Sequence, residues 1–127
     1  MFAKEAKILV VDDMGGIRLW FKKTLKSLGY NDILEAKNGA EAMEMLGKHK
    51  FDLMFLDIIM PDTDTMQLAK TIRGNPDFAS MKIIIASAES DKEIVNQMVK
   101  IGVNAFIVKP ATKDSLEVKM SEAYNNE

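Results

Sequence analysis

The sequence contains no cysteine and a single histidine, His49. The missing thiols exclude disulfide bonds and thiol catalysis, and one imidazole supplies too few ligands for a typical zinc site. Positive charge is not concentrated either, since 17 Lys and Arg face 19 Asp and Glu without a dense basic run. We therefore expect neither a nucleic acid nor a membrane surface among the partners, and a chain without cysteine is consistent with a reducing cytoplasm.

Long hydrophobic runs are missing as well. The first apolar run, residues 8–11, is interrupted by Asp12 and is too short for a signal-peptide core or a membrane span. A chain of 127 residues with 47% hydrophobic content can nevertheless bury one core. We expect residues 1–127 to form a single cytoplasmic domain.

Short apolar runs alternate with stretches of helical periodicity. The runs 8–11, 53–56, 83–86 and 105–108 have the length of strands buried on both faces, and the mixed run 32–36 is typical of an edge strand. Apolar residues three or four positions apart predict five helices, with the stripes Ile17, Phe21, Leu25 and Leu28; Ala40, Met43 and Leu46; Leu68 and Ile72; Ile94, Met98 and Ile101; and Leu116, Met120 and Ala123.

This alternation predicts an α/β fold, a doubly wound five-stranded parallel sheet with helices on both faces. Each parallel crossover is right-handed and needs a helix to span it. Such sheets bind ligands beyond the carboxyl ends of their strands, where the strand order reverses. Functional residues are therefore expected where the strands end.

Polar residues occur at these strand ends. Asp12 and Asp13 follow the first predicted strand, Asp57 the third, Ser87 the fourth and Lys109 the fifth. Carboxylates gathered at one edge repel each other, by roughly 3 kcal/mol for two charges about 5 Å apart at an effective dielectric of about 20. A hard divalent cation relieves this repulsion, and Mg²⁺ prefers one or two carboxylates together with waters and phosphate oxygens.

This set of groups suits phosphoryl transfer. The Asp57 carboxylate would attack phosphorus and form an acyl phosphate. Mg²⁺ and Lys109 would neutralise charge on the phosphoryl oxygens, and the Ser87 hydroxyl would donate a hydrogen bond to one of them.

The same positions resemble the receiver domains of two-component response regulators, particularly the single-domain chemotaxis type. Four motifs in order carry the resemblance: LVVDD at 9–13, LDIIMP at 56–61, ASAE at 86–89 and VKP at 108–110. The resemblance implies the flavodoxin-like strand order 2-1-3-4-5. It also implies a signalling switch that catalyses only its own phosphorylation and dephosphorylation.

The resemblance further implies roles for single residues. Asp57 is the phosphoacceptor, Ser87 and Lys109 contact the phosphoryl group, and the Lys109–Pro110 peptide bond is cis. The phosphoryl donor is a phosphohistidine on a sensor histidine kinase or a histidine phosphotransfer protein. The contacts to Mg²⁺ are assigned to Asp12, Asp13, Asp57 and the backbone carbonyl of Ile59.

Three positions depart from the commonest receiver pattern. Ser87 replaces a frequent Thr and keeps the hydroxyl, while Phe106 replaces the Tyr of the chemotaxis type; we expect both to act in switching. Thr65 stands where glycine is usual, which favours a different course for the loop after Asp57, because a β-branched residue resists positive φ. By resemblance, the output surface joins helix four, strand five and helix five, here with Lys92, Val95, Met98, Phe106, Val108, Lys113 and Val118.

Two other functions are open from the residues. The stretch from Asp62 to Thr65 superficially matches the DxDx motif of haloacid-dehalogenase-type phosphatases, but it follows Pro61 and not an apolar strand. An unphosphorylated pseudo-receiver adaptor is the second alternative, and the intact aspartates and Lys109 argue against it.

The lifetime of the phosphoryl group is expected to depend on two flanking positions, Ile59 and Glu89. By resemblance, polar residues at both positions help to hold the attacking water. Ile59 can donate no side-chain hydrogen bond, so we expect slow autodephosphorylation.

Overall fold

A computed structural model describes residues 1–88 and 92–126 of the chain, and within them five strands alternate with five helices. The strands are β1 (Lys7–Val11), β2 (Asp32–Ala36), β3 (Leu53–Leu56), β4 (Lys82–Ser87) and β5 (Ala105–Val108). The helices are α1 (Gly15–Ser27), α2 (Gly39–Lys48), α3 (Thr65–Arg73), α4 (Lys92–Ile101) and α5 (Lys113–Asn125). A short 3-10 turn, Pro76–Phe78, lies between α3 and β4.

The strands form one parallel sheet in the order β2-β1-β3-β4-β5. This confirms the predicted α/β class and the order 2-1-3-4-5. Val11 pairs with Leu56 in the register of β1 and β3. The residues that follow, Asp12 and Asp57, therefore leave the sheet side by side at the point where the strand order reverses.

The core consists of two apolar layers, one on each face of the sheet. Alternate residues of β1 point to opposite layers, so that Ile8 and Val10 face α1 and α5 while Leu9 and Val11 face α2, α3 and α4. Each large apolar side chain buried in this way contributes about 1.5–3 kcal/mol. The two layers therefore cover both faces of the sheet.

The helix boundaries confirm most of the predicted stripes. Gly29 and Gly102 follow α1 and α4 with positive φ angles of 100° and 112°, as a helix-ending glycine requires. Ala40, however, is exposed, so its place on the apolar stripe of α2 is a wrong prediction. The helix begins at Gly39, and the buried positions at helical spacing are Gly39, Ala42 and Leu46.

No helix within residues 1–88 and 92–126 is long and apolar enough to cross a bilayer.

Candidate functional site

Three carboxylates meet at the carboxyl edge of the sheet. One oxygen each from Asp12, Asp13 and Asp57 lies within 4.8 Å of the others. Asp12 and Asp57 are buried, with 2% and 6% of their surface exposed, whereas Asp13 is exposed. The predicted acidic cluster is therefore present, with two fixed carboxylates and a third at the solvent boundary.

Asp12 is held by its backbone as well as by its side chain. Its amide donates to the carbonyl of Ala36 at 3.1 Å, and its Oδ1 accepts from the amide of Met14 at 2.9 Å. Its carbonyl accepts from Nη1 of Arg18 at 2.7 Å. The position of this carboxylate is thus set by β2, by the start of α1 and by one side chain of α1.

Lys109 reaches the cluster from the end of β5. Its Nζ lies 2.6 Å from Oδ2 of Asp12 and 3.6 Å from Oδ1 of Asp57, and only 13% of its side chain is exposed. The Lys109–Pro110 bond is cis, as expected. The ammonium therefore bridges two of the three carboxylates.

The electrostatic balance of the site remains negative. Burial raises the pKa of Asp57, the Lys109 ammonium lowers it and the Asp12 carboxylate raises it again, with a net increase. The amide of Ile59 also donates to Oδ1 of Asp57, at 3.4 Å. One ammonium for three carboxylates leaves an excess of hard oxygen ligands, and this donor set fits Mg²⁺.

Ser87 lies on β4 and Phe106 on β5, the two strands that follow β3 in the sheet. Ser87 is the last residue of β4 and is buried, and its carbonyl accepts from the Lys109 amide at 2.9 Å. Phe106 is half-buried on the edge strand β5 and packs against the layer formed by α2, α3 and α4. Ser87 is therefore at the edge of the sheet that carries the carboxylates, and Phe106 lies farther back on its strand.

The expected output surface is only partly exposed. Met98 is 1% exposed and belongs to the core, so its assignment to this surface is wrong. The reason is helical phase, because Ile94, Met98 and Ile101 form the face of α4 that packs on the sheet. Val99 is 60% exposed on the same helix and was not predicted. The other residues assigned to the output surface are exposed or half-buried: Lys92, Val95, Phe106, Val108, Lys113 and Val118.

The stretch with the DxDx spacing does not join the cluster. Asp62 and Asp64 are exposed, and Oδ1 of Asp64 accepts from the Gln67 amide as the N-cap of α3. Thr65 is the first residue of that helix, and no non-glycine residue within 1–88 and 92–126 has a positive φ. Thr65 therefore adopts no glycine-like conformation, although its buried hydroxyl has no hydrogen-bond partner among the residues that the structure describes.

Arg18 was not predicted as a site residue, although its Nη1 donates to the carbonyl of Asp12. A contact from a side chain to a backbone carbonyl leaves no pattern of residue types. The only indication in the sequence is a lone arginine in the helix that follows the paired aspartates.

Comparison with known proteins agrees with this geometry. The family model described as the response regulator receiver domain matches residues 8–121, and the chain belongs to this family. Its members are signalling proteins, and phosphotransfer signalling is their general function.

Several relatives are similar over nearly their whole length. Chemotaxis protein CheY-3 of Vibrio cholerae is 35% identical over 121 residues, which cover 95% of this chain and 93% of that protein. A chemotaxis protein CheY homolog of Campylobacter jejuni is 38% identical over 117 residues, with 91% and 90% covered. Among solved structures, CheY4 of Vibrio cholerae has a TM-score of 0.86 at 27% identity, covering 94% of this chain and 98% of that one.

Proposed function

We propose that this chain is a phosphorylation-dependent switch that accepts a phosphoryl group on Asp57. The observation that carries the proposal is the meeting of Asp12, Asp13 and Asp57 at one sheet edge, with the Lys109 ammonium between two of them. One ammonium does not balance three carboxylates, so the arrangement is explained by a ligand that supplies further positive charge.

Asp57 acts as the nucleophile in this proposal. A carboxylate oxygen attacks phosphorus, a new P–O bond forms, and the P–N bond to the donor imidazole breaks with its electron pair remaining on nitrogen. A group buried to 6% exposure has lost most of its hydration shell, which keeps competing water away from the reacting oxygen. The product is an acyl phosphate on the chain itself, and no external metabolite is converted.

Four oxygen groups would hold Mg²⁺: the carboxylates of Asp12, Asp13 and Asp57 and the backbone carbonyl of Ile59. When bound, Mg²⁺ supplies positive charge to the phosphoryl oxygens and orients them. The Lys109 ammonium neutralises a further oxygen, and the Ser87 hydroxyl at the end of β4 donates to the phosphoryl group. Phe106 then responds with Ser87 by a change of rotamer and alters the surface of β5.

The signal enters and leaves through proteins. We take the donor to be a phosphohistidine on a sensor histidine kinase or a histidine phosphotransfer protein, in the cytoplasm. Residues 1–127 act as one receiver domain, and the output surface consists of the exposed positions of α4, β5 and α5. The relatives named as chemotaxis proteins make a chemotaxis target the first candidate for the downstream partner.

Incubation with acetyl phosphate and Mg²⁺, followed by intact-protein mass spectrometry, tests the proposal. We expect one phosphoryl group on the wild type, lost on treatment with hydroxylamine, and none on Asp57→Asn, because an amide is too poor a nucleophile. Asp62→Asn is the matched control, since Asp62 is an exposed aspartate of the next loop. Labelling of Asp57→Asn would assign the acceptor elsewhere, and an unlabelled wild type would support a pseudo-receiver adaptor.

A further inference from the structure

Two cations of α1 share one carboxylate on the edge strand β2. Nε of Arg18 lies 3.1 Å from Oε1 of Glu35, and Nζ of Lys22 lies 3.8 Å from Oε2 of the same residue. Only Arg18 extends further, because its Nη1 also donates to the carbonyl of Asp12 at 2.7 Å. The two residues therefore have the same charge and the same anionic partner, and they differ in one contact.

The contact made by Arg18 fixes a particular peptide group. The carbonyl of Asp12 belongs to the peptide bond that leads to Asp13, so its orientation sets the direction in which Asp13 leaves the strand. Asp13 is exposed, and among residues 1–88 and 92–126 no hydrogen bond or ion pair holds its side chain. The placement of its carboxylate beside Asp12 and Asp57 is thus left to the backbone.

The planar guanidinium is suited to this task. It presents several donors in a rigid fork, so one side chain spans the Glu35 carboxylate and the Asp12 carbonyl at once. Arg18 has only 19% of its side chain exposed, which limits the alternative positions of the fork. A lysine ammonium at this position would be a single point charge and would satisfy one of the two acceptors.

We propose that Arg18 is a positioning residue for the cation-binding carboxylates, acting through the Asp12–Asp13 peptide group. The inference rests on the proposed function, because it concerns the Mg²⁺ site of that function. The positive charge of Arg18 alone would have the opposite effect on Mg²⁺ affinity to that of a positioning role. Removing a positive charge near an acidic site would by itself tighten the binding of a divalent cation, whereas loss of positioning weakens it.

Calorimetric titration of the unphosphorylated protein with Mg²⁺ separates the effect of charge from the effect of positioning. We expect Arg18→Met and Arg18→Lys to bind Mg²⁺ about five- to ten-fold more weakly, at or below the lower end of what loss of an outer-sphere contact costs. Lys22→Met is the matched control, since it removes the other cation paired with Glu35 and leaves the Asp12 carbonyl contact intact. Its affinity should equal that of the wild type or exceed it.

A second readout needs no metal. Because Oδ1 of Asp12 accepts from the Met14 amide, hydrogen exchange of that amide reports how firmly the loop is held. We expect faster exchange in metal-free Arg18→Met and Arg18→Lys, and unchanged exchange in Lys22→Met.

The possible outcomes are distinct. Wild-type affinity and exchange in both Arg18 variants, or an equal loss in Lys22→Met, would overturn the positioning role and leave the proposed function intact. A wild type that binds no Mg²⁺ would overturn both the positioning role of Arg18 and the proposed function. Weaker binding in Arg18→Lys, which keeps the positive charge, would exclude a purely electrostatic cause.

Discussion

The Nζ atom of Lys109 lies 2.6 Å from Oδ2 of Asp12, a full ångström closer than its 3.6 Å distance from Oδ1 of Asp57. Both ends of the closer pair are shielded from water, with 13% and 2% of the side chains exposed. Solvent and salt therefore screen this pair less than a surface ion pair. Lys109 acts as an internal counter-ion of the acidic cluster before any ligand binds.

Loss of this counter-ion should destabilise the metal-free protein. Lys109→Met leaves Asp12 and Asp57 buried without their cation, and breaking such a pair costs about 3 kcal/mol. We expect a loss of that size in the free energy of unfolding, measured by urea denaturation without metal. Addition of Mg²⁺ should restore part of it, because a ligand that binds only the folded state stabilises it.

Lys113→Met is the control for this change, because Lys113 is an exposed lysine a few residues further along. It should alter the free energy of unfolding by less than about 0.5 kcal/mol. Equal stabilities of Lys109→Met and the wild type would mean that the ion pair contributes nothing beyond the cost of burying it.

The Asp57 carboxylate should reduce stability at neutral pH. Its pKa is raised in the folded state, chiefly by burial, so its contribution is favourable below the unfolded pKa of about 3.9 and is lost as the pH rises through the folded pKa. Asp57→Asn removes the charge and keeps the shape. We expect a higher melting temperature than that of the wild type at pH 7 without metal, and a difference that shrinks toward pH 4.

Asp62→Asn serves again as the control, since this exposed aspartate lies outside the acidic cluster. Its melting temperature should follow that of the wild type at both pH values. A lower melting temperature for Asp57→Asn at pH 7 would show that the carboxylate is stabilised in the folded state, contrary to the direction of its pKa.

The strand-end residues could be predicted from the sequence because the apolar runs and the helical stripes between them show where each strand ends. Apolar runs fix where β1 and β3 end, and a parallel register then places Asp12 beside Asp57 without any knowledge of side-chain conformations. Met98 was assigned wrongly because the resemblance placed it on the output surface, although its spacing from Ile94 and Ile101 had already placed it on the apolar stripe of α4. Arg18 was not predicted because its acceptor is a backbone carbonyl, which every residue carries and which no residue type in the sequence marks.

A second cation, half-buried, lies at the opposite, amino end of the sheet. The Arg73 guanidinium donates to the carbonyls of Gly102, Phe78 and Met81 at 2.8, 3.1 and 2.6 Å, and to Oδ1 of Asn104 at 2.8 Å. Burial lowers its pKa, and no carboxylate pairs with it within residues 1–88 and 92–126. This side chain links α3 to the ends of α4 and to the starts of β4 and β5.

Arg73→Met should therefore leave partly buried carbonyls without donors. At about 1–3 kcal/mol for each such group, partly offset by water, we expect a total loss of about 3 kcal/mol in the free energy of unfolding. Arg73→Lys should lose nearly as much, because an ammonium cannot reproduce the fork. Urea denaturation measures both, with the exposed Lys70→Met on the same helix as control; full rescue by lysine would contradict the argument from geometry.

Ile59 lies beside the proposed phosphoacceptor and faces solvent. Its amide donates to Oδ1 of Asp57 at 3.4 Å, and 56% of its surface is exposed. The second position expected to influence the lifetime, Glu89, lies outside the described residues.

Hydrolysis of the acyl phosphate needs a water in line with the P–O bond that breaks, and a polar side chain at this position would help to hold it. Ile59 offers no such group, so Ile59→Asn should shorten the lifetime several-fold. A several-fold change in lifetime corresponds to about 1 kcal/mol in the activation free energy, since about 1.36 kcal/mol changes the rate tenfold. The measurement is the decay of phosphorylated wild type, Ile59→Asn and the apolar control Ile59→Val at saturating Mg²⁺. Equal lifetimes for Ile59→Asn and the wild type would exclude control at this position, while an equally short lifetime for Ile59→Val would assign the effect to side-chain bulk and not to polarity.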